Sequence, residues 1–451
     1  MSKVINLKRG LDIHLKGVAE KSLETAPASE TYAVKPYDFP DLTPKLSVKP
    51  GEPVKTGTPL FYDKYRPEVV FTSPVSGTVK AVSRGERRRI LEVVIDSDGK
   101  DEAVSFKKGD PKNLSGNEIK DILLKSGVWP FIRQRPFDLI ANPEDTPKAI
   151  FISLFDTAPL APDYAFILKD KNTLFQAGLD VLSKLTGGKP VHVGYHPEKS
   201  DASFVSGLTD VETHAFKGPH PAGNTGVQIH HIDPINKGEV VWVVNPQDIL
   251  VIGRLFTEGV YNPERIVALA GSEVKSPKYY VTKIGASVKG ILDGNLVGRN
   301  NRYISGNVLT GKKISREGYI GFYDSLVSVI PEGNKFELLG WALPGFGKFS
   351  FYRTFFSWLT PEKPYRLDTN LHGGRRAFVL TGQYEKVLPM DIYPMHLIKA
   401  ILVDDIDMME NLGIYEVVEE DIALCEFIDV SKTEMQTILR EGFRSLIKEL
   451  G

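Results

Sequence analysis

LSVKPGEPVKTGTPLFYDKYRPEVVFTSPVSGTVK, residues 46–80, is the stretch whose reading decides the architecture. It divides into two short β-patterned runs with turn residues at matching offsets, Pro50-Gly51 and Gly57 in the first, Pro74 and Gly77 in the second. Glycine supplies positive φ or a tight turn, and the alternating Val48, Val54, Leu60 and Val70, Val75, Val79 can fill one interior face. Two such halves predict paired short strands around one interior. Just downstream, Arg84-Gly85-Glu86-Arg87-Arg88-Arg89 reads as a charged hairpin tip that protects a sheet edge, with docking to phosphate or an acidic surface as the alternative.

The paired runs resemble the biotinyl/lipoyl-type barrel, in which a modified lysine sits on the hairpin between the halves. Lys64 holds that place, but Tyr65-Arg66-Pro67 follows it in a hairpin that is long for such a carrier, so a solvated turn lysine is expected.

Composition bounds the rest. A chain of 451 residues suggests about three domains, and 41% apolar with 25% charged residues is ordinary for a globular protein. Gly (40) and Pro (30) run above the usual share and imply many turns and short strands. The net charge of -1 leaves no overall nucleic-acid footprint, and no nucleic-acid partner is expected. One cysteine, Cys425, cannot form an internal disulfide or hold an iron–sulfur cluster, and fits a reducing compartment. No stretch reaches the 18 or so apolar residues of a spanning helix. The opening MSKVINLKRGLDIHLKG has charges ahead of any apolar run and no small-residue cleavage site, so no secretory signal is expected.

From about residue 147 strands and helices alternate. KAIFISLF (148–155), KPVHVGY (189–195), GEVVWVVN (238–245) and PERIVALAG (263–271) read as strands, and NTLFQAGLDVLSKLTGG (172–188) and PQDILVIGRLFTEG (246–259) as helices, Pro246 suiting a helix start. Such a run predicts a Rossmann-like parallel layer covered on both faces. The Gly-rich strand-to-helix turn that would receive a phosphate is missing. KGPHPAGNTGVQIHHIDP (217–234) is dense in Gly, Pro and His. A metal site from His220, His230 and His231 is conceivable, but adjacent histidines on a strand point to opposite faces. A structural or partner-contacting loop is the stronger reading, and no metal is assigned.

Residues 281–315 are turn-rich and β-patterned and look like a small β-grasp module. FGKFSFYRTFFSWL (346–359) carries Phe346, Phe349, Phe351, Phe355, Phe356 and Trp358, expected as core rather than as a receptor for a flat ring such as a quinone. Residues 403–429 hold ten acidic side chains and no Lys or Arg, a solvated face or a surface for a basic partner. Ser431 with Glu434 suggests a capping box, and the helix after it aligns Met435, Ile438, Leu439, Phe443, Leu446, Ile447 and Leu450.

The order of these parts resembles one known family. KRGLDIHLKG (8–17), VKPGEPVKTGTPLF (48–61), FTSPVSGTV (71–79), FKGPHPAGNTGVQIHHIDP (216–234), RIVALAG (265–271), ISGNVLTGK (304–312), FFSWL (355–359), YEKVLPMDIYP (384–394) and EEDIALCEF (419–427) are similar to the A-subunit family of the bacterial sodium-translocating NADH:quinone oxidoreductases. They span nearly the whole chain. The resemblance implies an α/β multidomain chain in four parts. These are an N-terminal segment with a lipoyl-like barrel-sandwich domain (1–105), a Rossmann-like α/β domain lacking the Gly-rich loop (106–272), a β-grasp, SLBB-like domain (273–375), and a C-terminal helical domain without an iron–sulfur cluster (376–451).

It further implies a peripheral subunit on the cytoplasmic side of the bacterial inner membrane, in a six-subunit complex that passes electrons from NADH to quinone and exports Na+. Integral-membrane and flavin-bearing partners would supply the flavins, iron–sulfur centres and membrane spans, and this chain no cofactor, being non-catalytic when isolated. Where flavin-binding relatives open their Rossmann-like layer with a Gly-rich loop, this chain has GVWPFIRQRPFD (127–138). Trp129, Phe131, Arg133 and Arg135 would fill the approach of a flavin phosphate, and as an exposed cation–aromatic cluster they are the candidate contacts to quinone or to the membrane partner. The rival readings are a flavin- or NADH-binding dehydrogenase subunit, testable by absorbance, and a carrier modified at Lys64, testable by intact mass.

Overall fold

The computed structural model describes residues 4–334, 337, 339–379 and 382–450. The barrel-sandwich forms from two facing sheets. One carries Thr31–Val34, Ile90–Ser97, Gly77–Arg84 and Pro53–Val54; the other carries Pro44–Leu46, Pro59–Asp63 and Val70–Thr72. Val48, Val54, Leu60, Val75 and Val79 are buried between them as the alternation predicts. Val70 is not: Val69 and Phe71 point inward and Val70 is half-buried, because the pleat at 69–71 is offset by one residue and reverses the inward set. Lys64 is an exposed turn residue with its ammonium 5.1 Å from the Tyr65 ring centre, and residues 84–90 form the tip between two strands.

The Rossmann-like sheet runs in the order Ile5–Asn6, Glu212–Lys217, Val191–Tyr195, Ala149–Ser153, Val241–Val243, Arg133–Arg135, Leu139–Ile140. The first five strands are parallel, and the last two close the edge antiparallel. Both faces are covered. Ile150 and Ile152 pack with residues of the helices Asn172–Leu185 and Pro246–Glu258, while Ala149 and Phe151 pack with Ile229 of a third helix, Thr225–Ile232. Period-2 alternation with both sets apolar is what a doubly covered strand needs. The Gly- and Pro-dense segment at 217–234, expected as a loop or strand, holds a two-turn helix at 225–232, entered after the Pro-Gly-rich stretch ends at Asn224. Gly194 permits its close approach, since a Cβ there would lie 2.0 Å from Gln228 Oε1.

The strand expected at 263–271 is present as Glu264–Ala270, but it belongs to the next sheet, not to the parallel layer. It pairs antiparallel with Lys278–Lys283 and parallel with Leu326–Pro331 in a six-stranded sheet that also holds Asn301–Ser305, Lys312–Ile314 and Glu20–Thr25. Its continuous apolar run, residues 266–270, is equally compatible with either sheet, and pairing partners decided between them. The buried pair Arg265–Asp248, 2.7 Å apart, ties this strand to the helix Pro246–Glu258.

The helices Pro394–Leu402, Ile406–Asn411, Glu419–Ile428 and Met435–Leu450 form the C-terminal part. Met435, Leu439, Phe443 and Leu446 are buried, Ile438 and Ile447 half-buried; the Leu450 side chain lies outside the described residues. The capping box at Ser431 is not formed. Ser431 Oγ donates to Ala377 O, and the turn before the last helix is held by Asp429, which accepts from Thr433 N at 2.7 Å, and Glu426, which accepts from Gln436 N at 2.8 Å. The aromatic segment is the larger departure. Phe346, Phe356 and Trp358 are 59%, 53% and 47% exposed, and Phe349, Phe351 and Phe355 only half-buried. No strand forms there among the described residues, so the alternation that favoured core has no sheet to bury it.

Candidate functional site

Strand order places the crevice of the Rossmann-like layer between Ala149–Ser153 and Val241–Val243, where the sheet changes direction of growth. The cleft that opens at the carboxyl ends of these strands is open to solvent and holds a small cavity of about 90 Å³. Asp156 follows the first of the two strands, and Arg133, Tyr164, His220, Asn224 and Glu420 line the same space. The β-grasp part contributes Asn307, Leu309 and Thr310. Asn307 Oδ1 accepts from Leu309 N and Thr310 N at 2.8 and 2.9 Å, which fixes this rim as a turn.

Each cleft residue has a local cause. Asp156 Oδ1 accepts from Ala158 N at 2.8 Å; burial, and then the nearby Glu420 carboxylate, push its pKa up to about 6. His220 Nδ1 lies 3.0 Å from Thr157 Oγ1, and burial holds its pKa down to about 4, so the ring is neutral. Its backbone N–H donates to Asp12 at 2.8 Å, which ties the Gly-Pro-rich segment to the N-terminal arm. Tyr164 is pushed up by burial and by Asp156, and stays a neutral hydroxyl. Asn224 Nδ2 donates to Glu420 O at 3.0 Å and so joins two rims.

The four residues singled out at 127–138 separate here. Trp129 and Phe131 are fully buried and Arg135 is 1% exposed, so the expected exposed cluster is overturned. The physical reason is apolar area: Trp129 meets Trp242 edge-on at 5.6 Å with Nε1 donating to Ala141 O, and Phe131 stacks on Phe322 at 4.6 Å. Nor does this segment form the turn after the first parallel strand; it makes a short helical turn and the antiparallel strand Arg133–Arg135, next to the edge strand Leu139–Ile140. The bulky rings therefore do not stand at the mouth of the crevice. Arg133 alone of the four reaches the cleft, steadied by Asp138 at 2.9 Å and by the Tyr323 ring at 5.2 Å.

The acidic run finds its basic partner within the chain. Arg135 donates to Glu420 at 2.7 Å and to Asp421 at 3.2 Å, Arg440 to Glu419 at 2.8 Å and to Phe137 O at 2.8 Å. Burial pushes the Asp421 carboxyl up and Arg135 pulls it back. Glu416 accepts from His230, and Glu410 pairs with Lys237. Cys425 is buried, its thiol pushed up by burial, and is an apolar filler beside Tyr384.

His220, His230 and His231 are not brought together as a metal site. His220 lines the cleft, His230 contacts Glu416 and receives Asp391 N, and His231 contacts Pro389 O at 2.9 Å. Sequence reasoning missed Asp156, Tyr164, Asn224 and Asn307. The signal present lay in segments 216–234 and 304–312, which hold the cleft's His220, Asn224 and Asn307.

Family models cover most of the chain. The NqrA N-terminal barrel-sandwich hybrid domain matches residues 5–98, the NqrA second alpha/beta domain residues 114–261, and the NQRA C-terminal domain residues 266–316. The A subunit of the Na(+)-translocating NADH-quinone reductase of Neisseria meningitidis serogroup B is 41% identical over 99% of this chain and all of that protein. The protein of the same name from Yersinia pseudotuberculosis serotype O:1b is 40% identical over 99% of this chain and all of that protein. Among solved structures, the NAD+-reducing [NiFe]-hydrogenase in its air-oxidized state is 11% identical with a TM-score of 0.37, over 75% of this chain and 64% of that one, a likeness too loose to carry a functional reading. Identity of this degree over the full length, with the barrel-sandwich, Rossmann-like and SLBB-like parts in the matching order, settles the kinship: the chain belongs to the NqrA family, the A subunits of Na+-translocating NADH:quinone reductases.

Proposed function

We propose that this chain works as the A subunit of a sodium-translocating NADH:quinone reductase, a peripheral piece on the cytoplasmic side of the membrane that serves the quinone-reducing end without a redox cofactor of its own. No helix among the described residues is long and apolar enough to cross a membrane, so the spans come from integral partners. The observation that carries the reading is convergence. Three segments that mark the family resemblance, far apart in sequence, meet at one cleft through His220, Asn224, Asn307 and Glu420.

The cleft suits a quinone head group. Quinone carbonyls accept hydrogen bonds, and Arg133, Tyr164 and Asn224 carry donors that line the space. Reduction to the quinol takes two electrons and two protons. The electrons arrive from flavin- and iron–sulfur-bearing partners, and Asp156, with its pKa near 6, can hold or release a proton close to neutrality. Trp129, Phe131 and Arg135 act behind Arg133 as positioning residues. The exposed Phe346, Phe356 and Trp358 form the docking face for the integral-membrane partner, since solvated aromatic surface of this extent needs a cover.

Purification of the tagged chain from native membranes tests the assembly: integral subunits should come with it, and recovery of the chain alone would defeat the proposal. For the cleft, Arg133→Ala and Asp156→Asn in the intact complex should raise the KM for quinone. Unchanged KM and inhibitor sensitivity in both would remove the head group from this site.

A further inference from the structure

Outside the cleft, a second cluster of ligating groups lies on the Rossmann-like sheet. Glu212 and His214 are two apart on the strand Glu212–Lys217, so both side chains fall on one face. The adjacent parallel strand sets His192 opposite Glu212 and Gly194 opposite His214. Gly194 has no side chain, and the His214 ring leans toward His192 instead. His192 Nδ1 lies 3.1 Å from His214 Nε2 and 3.5 Å from Glu212 Oε2. Among the described residues this is the one group of His, Cys, Asp and Glu whose ligand atoms all fall within 4.8 Å of one another.

We propose that His192, Glu212 and His214 form a binding site for a borderline divalent cation of the zinc class, with the fourth position open to water. Donors about 2.0–2.1 Å from a tetrahedral ion stand roughly 3.4 Å apart, and the observed 3.1 and 3.5 Å bracket that spacing. Two imidazoles and one carboxylate select zinc, cobalt or nickel over magnesium or calcium, which take oxygen donors. The Phe151 ring, 4.7 Å from that of His192, walls the inner side, while the 62% exposed Glu212 carboxylate opens the outer side to an arriving ion. The ion would clamp two neighbouring strands, the outer of which also holds the edge strand Ile5–Asn6.

Titration of the purified full chain with Co2+ reads the site directly. One equivalent should give the visible absorption bands of a four-coordinate ion, and Zn2+ should displace it and raise the thermal midpoint. His214→Gln should weaken Co2+ binding by about tenfold or more. Glu212→Gln, at an exposed position that leaves packing intact, should weaken it and shift the bands. Absence of stoichiometric Co2+ binding, or binding unchanged in both variants, would overturn the site and leave the two histidines as a hydrogen-bonded pair.

Discussion

At the scale of single residues, burial is the first influence on the protonation of His220 and Asp156 in the cleft. His220 is held neutral with its pKa near 4, below the 6.5 of an unfolded histidine. The unfolded chain therefore takes up a proton that the folded chain refuses, and the associated stability is present above pH 6.5 and lost as pH falls toward 4. The full loss is on the order of 3 kcal/mol. Thermal midpoints measured at pH 7 and 4.5 should fall further in the natural protein than in His220→Asn. Asp156 runs the other way: its raised pKa means stability declines as pH rises from about 4 to 6, and Asp156→Asn should raise the midpoint at pH 7. Arg135 sits between Glu420 and the buried Asp421. Arg135→Met should cost about 3–5 kcal/mol in denaturant unfolding by stranding the carboxylate, and adding Asp421→Asn should restore part of it. Arginines at 133 and 135 were visible in the sequence, but their opposite fates were not: strand positions two apart share a face, and only the packing of the C-terminal helix decides which one is covered.

At the scale of elements, periodicity read well wherever the element was long. The helices Asn172–Leu185 and Pro246–Glu258 lie where the 3.6-residue pattern puts them, and Gly259 ends the second in the left-handed conformation. What the pattern did not explain is a glycine in the middle of each. A Cβ on Gly178 would lie 2.3 Å from Ile249 O, and one on Gly253 2.3 Å from Leu174 O, so the backbones touch. Gly178→Ala gains helix propensity yet should destabilise by about 1–3 kcal/mol, checked by chemical denaturation, because the contacting atom is backbone. Short elements read poorly. The helix Thr225–Ile232 hides behind a Gly- and Pro-rich entry, and residues 346–359 carry strand-like alternation without a neighbouring strand to pair with.

At the scale of the whole molecule, the parts interlock through residues distant in sequence. The first 25 residues lend an edge strand to each of two sheets, and the acidic helix Glu419–Ile428 closes over the strand Arg133–Arg135 through Arg135. The exposed aromatics of 346–359 are left without a cover. Replacing Phe346, Phe356 and Trp358 with Ser should leave the thermal midpoint nearly unchanged, as surface changes do, while lowering recovery of integral subunits from membranes. Equal recovery with the natural protein would show that another face meets the membrane partner.

The sequence by itself determined the parts and their order, since turn glycines, strand alternation and helical spacing act over a few residues and need no partner. It also carried the family resemblance. Only the tertiary structure decided which side chains share a cleft: Arg133, Asp156, His220, Asn307 and Glu420 come from separate regions of the chain, and sheet register and helix docking bring them together. The same holds for His192 beside Glu212 and His214, where strand pairing chose the neighbours. Exposure is likewise a property of what covers a residue, which is why Trp129 went inside and Trp358 stayed out.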